Sequence, residues 1–242
     1  DLAPARQVPR GAPSPLAAAA DVVLASGFPT QLALGALLAS AGLSPVGSDG
    51  RLSMQYLALL MPADTLLLSA FIVWRLRAGG GRASTVLLGS RGWAREAWLG
   101  ILLVPLVVGG VAGFLLALRT AWPGLHNVDV NPFEALLRTP GDVAVFVVLA
   151  TLAGGVKEEL QRAFVLHRFS QSLGGARAGL LLYSVIFGAG HVIQGYDVAL
   201  ATTLLGVAWG AVFLWRRSVV AASVSHAGFN AAQVLHFAVF GA

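Results

Sequence analysis

Apolar runs of about 20 residues recur along this chain, each long enough to cross a ~30 Å hydrocarbon layer as a helix. The clearest, AWLGILLVPLVVGGVAGFLLAL at 97–118, carries no charge at all. The whole sequence agrees: 57% of it is hydrophobic and 11% charged, where a soluble domain is nearer 25% charged. Seven main apolar segments fall at roughly 20–43, 54–75, 97–118, 142–167, 178–194, 197–215 and 218–240. The first reads as a weak membrane helix, a pair of shorter helices or a partly re-entrant element. The expected fold is therefore all-α, a polytopic transmembrane bundle of about 7–8 membrane helices.

Residues 1–16 read as a flexible N-terminal tail and 17–242 as a single transmembrane domain. Asp21, Pro29 and Gln31 make the first segment unlike the apolar core of a signal peptide. There is no internal repeat. Cysteine is absent, which excludes disulfides and thiolate chemistry.

Net charge is +5, and 15 of the 16 basic residues are arginine. They sit at segment ends rather than in one patch, so no nucleic-acid partner is expected; the positive-inside effect accounts for them. The 75–96 loop holds Arg75, Arg77, Arg82, Arg91 and Arg95, and Arg168, Arg177, Arg216 and Arg217 flank the next same-side connections. The opposite loops hold only Arg51, Arg119 and Arg138. The arginine-rich side is assigned as cytoplasmic, and with seven crossings the C-terminus lies outside. Trp93 and Trp98 read as an interfacial belt.

Charges inside membrane helices are expensive and face a bundle interior or a watery cavity. The densest cluster, VKEELQR at 156–162, lies well inside an apolar segment and contains the only lysine, Lys157. On a helix Glu158 and Arg162 are four apart and Glu159 and Arg162 three apart, so the arginine can pair with either carboxylate. Adjacent glutamates point about 100° apart, which leaves one free to face a cavity. FGAGH, 187–191, puts Phe187 and His191 on one face, with Gly188 and Gly190 permitting close approach. HAGFN, 226–230, does the same for His226 and Asn230. Asn230 could orient the imidazole or donate to an oxyanion. Asp21 and Asp64 also lie in apolar segments; Asp64, soon after Pro62, reads as a helix-turn cap.

Taken singly, the cluster reads as a frayed helix end and each histidine as an interhelical polar contact. Together, a carboxylate pair, two imidazoles and a carboxamide on three helices form a water-activating set. A glutamate can act as general base. Alternatively Glu158, His191 and His226 could hold Zn²⁺ with water in the fourth position, although the helical H-E-x-x-H pattern is absent.

These motifs, in this order on separate membrane helices, resemble the CAAX prenyl protease and bacteriocin-processing (CPBP, Abi) family of intramembrane proteases. Its pattern is a di-glutamate with a following arginine (EExxxR), then FxxxH, then HxxxN or HxxxB; FGAGH and HAGFN fit the second and third in spacing. The resemblance covers about 150–240, and the active-site core is expected at about 142–242. It implies an intramembrane endopeptidase with Glu158, Glu159, Arg162, His191, His226 and Asn230 as catalytic residues. No cofactor or metal is expected, zinc being the alternative.

The first motif departs from the family pattern, because Arg162 stands three rather than four residues after the second glutamate. Anchored on the glutamates, Glu158 is the water-activating base; anchored on the arginine, Lys157 takes its place. The substrate implied is a membrane-associated protein or peptide, cut near its C-terminus. Arginine in place of lysine and richness in Ala and Gly point to a bacterial inner membrane. Two other readings stand beside the protease: a catalytically silent scaffold, immunity or regulatory member, and a small proton-coupled carrier.

Overall fold

A computed structural model describes residues 12–241. Residues 1–11 of the expected tail lie outside the described residues; the first helix, α1 (Pro15–Ala25), begins just inside the stretch read as tail. The oxygen of Ser14 caps it by accepting from the Ala17 amide. At Ser26 and Gly27 the chain bends by 42° into α2 (Phe28–Ser40). Gly27 sits at φ +90°, which an L-residue rarely adopts. The first apolar segment is thus a broken pair.

Next come α3 (Met54–Ala78), a short α4 (Ala83–Leu87) and α5 (Trp93–Ala121). Thr139 and Asp142 then close a capping box on α6 (Pro140–Ala150), with Pro140 at its first position. The helix runs on through a π-helical stretch, Thr151–Glu158, into α7 (Glu159–Ser172). After α8 (Ala176–Ala189) comes a 3₁₀ turn, Val192–Gln194, then α9 (Tyr196–Arg216) and α10 (Val220–Phe240). Among the described residues the chain is all-helical, with one isolated bridge between Val46 and Leu52.

The bundle is inverted relative to a water-soluble protein. Large apolar side chains such as Leu66, Leu102, Leu106 and Leu116 point outward, while carboxylates and guanidinium groups are buried. That is the arrangement of an integral membrane protein. Among the described residues three helices, α3, α5 and α9, are long and apolar enough to span alone, and the bent pair α1–α2 makes a fourth if it is one broken span. Trp93 and Trp98 lie exposed on the surface.

Buried charges tie the helices together. Asp21 accepts from Arg75 of α3 and Arg168 of α7. Glu96 takes a two-pronged contact from Arg216, at 3.0 and 2.6 Å. Asp197 at the start of α9 holds Arg119 and His126. Asp64 does not cap a turn, as the sequence suggested. It lies inside α3, and its carboxylate accepts from Thr30, Gln31 and the ammonium of Lys157.

Candidate active site

The π-helical stretch Thr151–Glu158 sets the site. Its i→i+5 hydrogen bonding encloses one residue more in each ring than an α-helix does, a feature that recurs at functional sites. Gly154 and Gly155 let it sit directly on α10. A Cβ on Gly155 would lie 2.7 Å from that of Ala227 and 3.1 Å from the Ser223 carbonyl. One on Gly154 would collide with the Asn230 amide and stand 3.0 Å from His226 Nε2. The side chain of Asn230 donates to the Ala150 carbonyl, where α-pattern gives way to π-pattern.

Lys157, Glu158 and Glu159 then diverge. Lys157 turns away from the cavity toward Asp64 of α3, its Nζ 2.9 Å from Oδ2, in a buried ion pair. Glu159 is buried and accepts from both Arg162 and His226, the latter with Nδ1 2.8 Å from Oε1. Glu158 is the partly exposed one and faces the cavity, with Oε2 3.7 Å from His226 Nε2. This arrangement corresponds to anchoring on the glutamate pair. The displaced arginine still reaches the second glutamate, because residues three and four apart share a helix face.

Arg162 is fully buried. Its Nε and Nη2 have no hydrogen-bond partner among the described residues, but its guanidinium carbon lies 5.0 Å from the ring centre of Phe187, 5.7 Å from Tyr183 and 5.8 Å from Trp209. One carboxylate and three ring faces hold this cation. Phe187 also meets His191 edge-on, 5.0 Å between ring centres. That contact gives the phenylalanine of FxxxH a physical role.

Each histidine's proton is placed by its partner. His191 Nδ1 lies 2.8 Å from the Phe187 carbonyl, which can only accept, so Nδ1 carries the proton and Nε2 is left for the cavity. His226 gives Nδ1–H to Glu159, again leaving Nε2 on the cavity side. The ring of His226 is stacked on Trp209, 3.7 Å between centres and 16° between planes. Trp209 in turn donates to Ser225. Glu159 and Trp209, rather than Asn230, fix the orientation of this imidazole. Gly188 does permit close approach, to the Ala199 carbonyl and Thr203, whereas Gly190 meets only carbonyls of its own helix.

Glu158, His191, His226 and Asn230 all line one cavity of about 570 Å³. Glu159 and Arg162 stand behind it. Among the described residues no group of three His, Asp or Glu side chains is disposed to hold a metal ion. Asp21 and Asp64 do not line the cavity. Sequence reasoning missed Trp209, Tyr183 and the glycine pair. The GG immediately before the charge cluster was a visible signal; a tryptophan inside an apolar run was not.

The sequence model of the family described as Type II CAAX prenyl endopeptidase Rce1-like matches residues 140–232, the stretch that holds all six candidate residues. This is the family that the three motifs resemble. No curated protein and no solved structure matches the chain.

Proposed function

Residues 140–232 match the CAAX-protease family, and from that premise we propose that this membrane protein is an intramembrane endopeptidase that activates water with Glu158. It hydrolyses a peptide bond of a membrane-associated protein or peptide near its C-terminus, as a multi-pass protein of a bacterial inner membrane. One observation carries the reading above all: Glu158 and His226 Nε2 face one cavity 3.7 Å apart, with Glu159 and Arg162 closing the rear.

In the reaction a water held by Glu158 and His191 Nε2 gives its proton to the Glu158 carboxylate as its oxygen attacks the scissile carbonyl carbon. The carbonyl oxygen becomes an oxyanion. Asn230 spends one amide N–H on Ala150 and has a second to offer it. His226, when protonated at Nε2, donates a further hydrogen bond. Glu158 then passes its proton to the departing amine as the C–N bond breaks. Glu159 holds Nδ1 of His226, and Arg162 holds Glu159.

The test is cleavage by purified protein in liposomes containing membrane extract as the substrate source. Wild type should generate new peptide termini that Glu158→Gln does not. Equal termini from both proteins would remove Glu158 from the mechanism.

A further inference from the structure

The two ends of the bundle differ in charge. At one end lie the C-terminal ends of α3, α7 and α9, the loops after them and the first turns of α5 and α8, carrying nine arginines against two carboxylates, Asp21 of α1 and Glu96 of α5. Both carboxylates are already engaged, by Arg75, Arg168 and Arg216. At the other end lie the loops around 41–53 and 122–142, the last turn of α5 and the start of α9, with three arginines against five carboxylates. Two of those arginines are themselves paired, Arg119 with Asp197 and Arg138 with Asp49. A short-loop arginine excess marks the cytoplasmic side of a membrane protein.

The cavity belongs to the arginine-poor end. From Glu158, Trp209 and His226 its walls run along the C-terminal half of α5 to Arg119, the start of α9 at Val198 and the end of α10 at Phe237. Its rim is the 122–139 connection, through His126, Asp129, Asn131 and Glu134. No residue between 162 and 186 or between 210 and 225 lines it. Arg162, its aromatic cage, and the bonded pair Arg216–Glu96 fill the bundle toward the arginine-rich end.

We propose that the cavity takes its substrate from the non-cytoplasmic side of the membrane. The scissile segment passes the 122–139 rim and descends to Glu158, so the substrates are peptides or protein tails exposed outside the cytoplasm. A lipid-modified tail presented on the cytoplasmic surface does not reach the site. The proposal rests on the cavity being the place of cleavage, but its geometry is tested without any cleavage.

The chain has no cysteine, so a single introduced thiol reports its side of the membrane. Asp129→Cys at the rim and Ser90→Cys in the arginine-rich loop both replace exposed residues. Full-length variants in bacterial spheroplasts are treated with a membrane-impermeant maleimide before and after permeabilisation. The proposal expects position 129 to label in intact spheroplasts and position 90 only after permeabilisation. The reverse pattern, or equal labelling of both before permeabilisation, overturns it. Thr120→Cys and Ser84→Cys, also exposed, repeat the test should a first variant fail to insert. Loss of cleavage in Glu158→Gln is read separately, so failure of the protease reading leaves the labelling result intact.

Discussion

The Nδ1 of His226 lies 2.8 Å from Oε1 of Glu159, a buried contact between residues 67 apart in sequence. It ties α10 to the start of α7 and divides the labour of the two glutamates. Glu159 supports the histidine, and Glu158 is left to the cavity. Glu159→Gln should therefore insert and fold yet lose roughly 10²-fold or more in cleavage, since the histidine it orients is expected to work in the transition state. An unchanged rate with intact thermal stability would contradict that division.

Lys157 and Asp64 form a buried pair 93 residues apart. Lys157→Met leaves the Asp64 charge uncompensated and should cost about 3–5 kcal/mol, the usual penalty for breaking such a pair. Thermal unfolding in detergent measures it. Lys157→Met combined with Asp64→Leu should recover most of the loss. A single variant as stable as wild type would show that the pair does not anchor the π-helical stretch.

Gly154 and Gly155 separate packing from chemistry. Each alanine overfills a tight contact, at a cost of about 1–3 kcal/mol. Gly155→Ala pushes against the backbone of α10 and should act mainly on stability. Gly154→Ala presses on Asn230 and His226 and should lower kcat more than stability. Steady-state kinetics beside unfolding curves distinguishes the two.

Trp209 stacks on His226, and aromatic pairs contribute about 0.5–1.5 kcal/mol beyond burial. Trp209→Leu should lower kcat about 3- to 10-fold with little change in KM, and Trp209→Phe should recover part of it. Arg162→Lys should not rescue Arg162→Ala, because an ammonium cannot spread against three ring faces as a guanidinium does.

Much of this was legible in the sequence. The apolar runs marked the rods to within a few residues, because lipid demands length and apolarity from each span. The motif spacings put Phe187 with His191 and placed His226 and Asn230 on one helix face. Two things were not legible. Which of Lys157, Glu158 and Glu159 faces the cavity depends on a π-helical phase and on an aspartate in α3, neither of which a local pattern carries. Asp64 looked like a turn cap because its partners, Thr30, Gln31 and Lys157, come from other elements. Trp209 stayed silent because its partner is fixed only when α9 and α10 pack.

Metal removal gives a further check. Glu158 is proposed as base, with no metal in the step. Cleavage should therefore persist after extensive chelation. Loss of activity restored by Zn²⁺ would instead assign Glu158, His191 and His226 to a metal.

The central claim, that Glu158 activates the water that cuts the peptide, is met most directly by terminus profiling in ¹⁸O-water. Wild type and Glu158→Gln, equally folded in liposomes with membrane extract, are compared for new C-termini carrying ¹⁸O. Wild type should produce labelled termini, and Glu158→Gln should produce them roughly 10²- to 10⁴-fold more slowly. Labelled termini at the same rate from both proteins would contradict it.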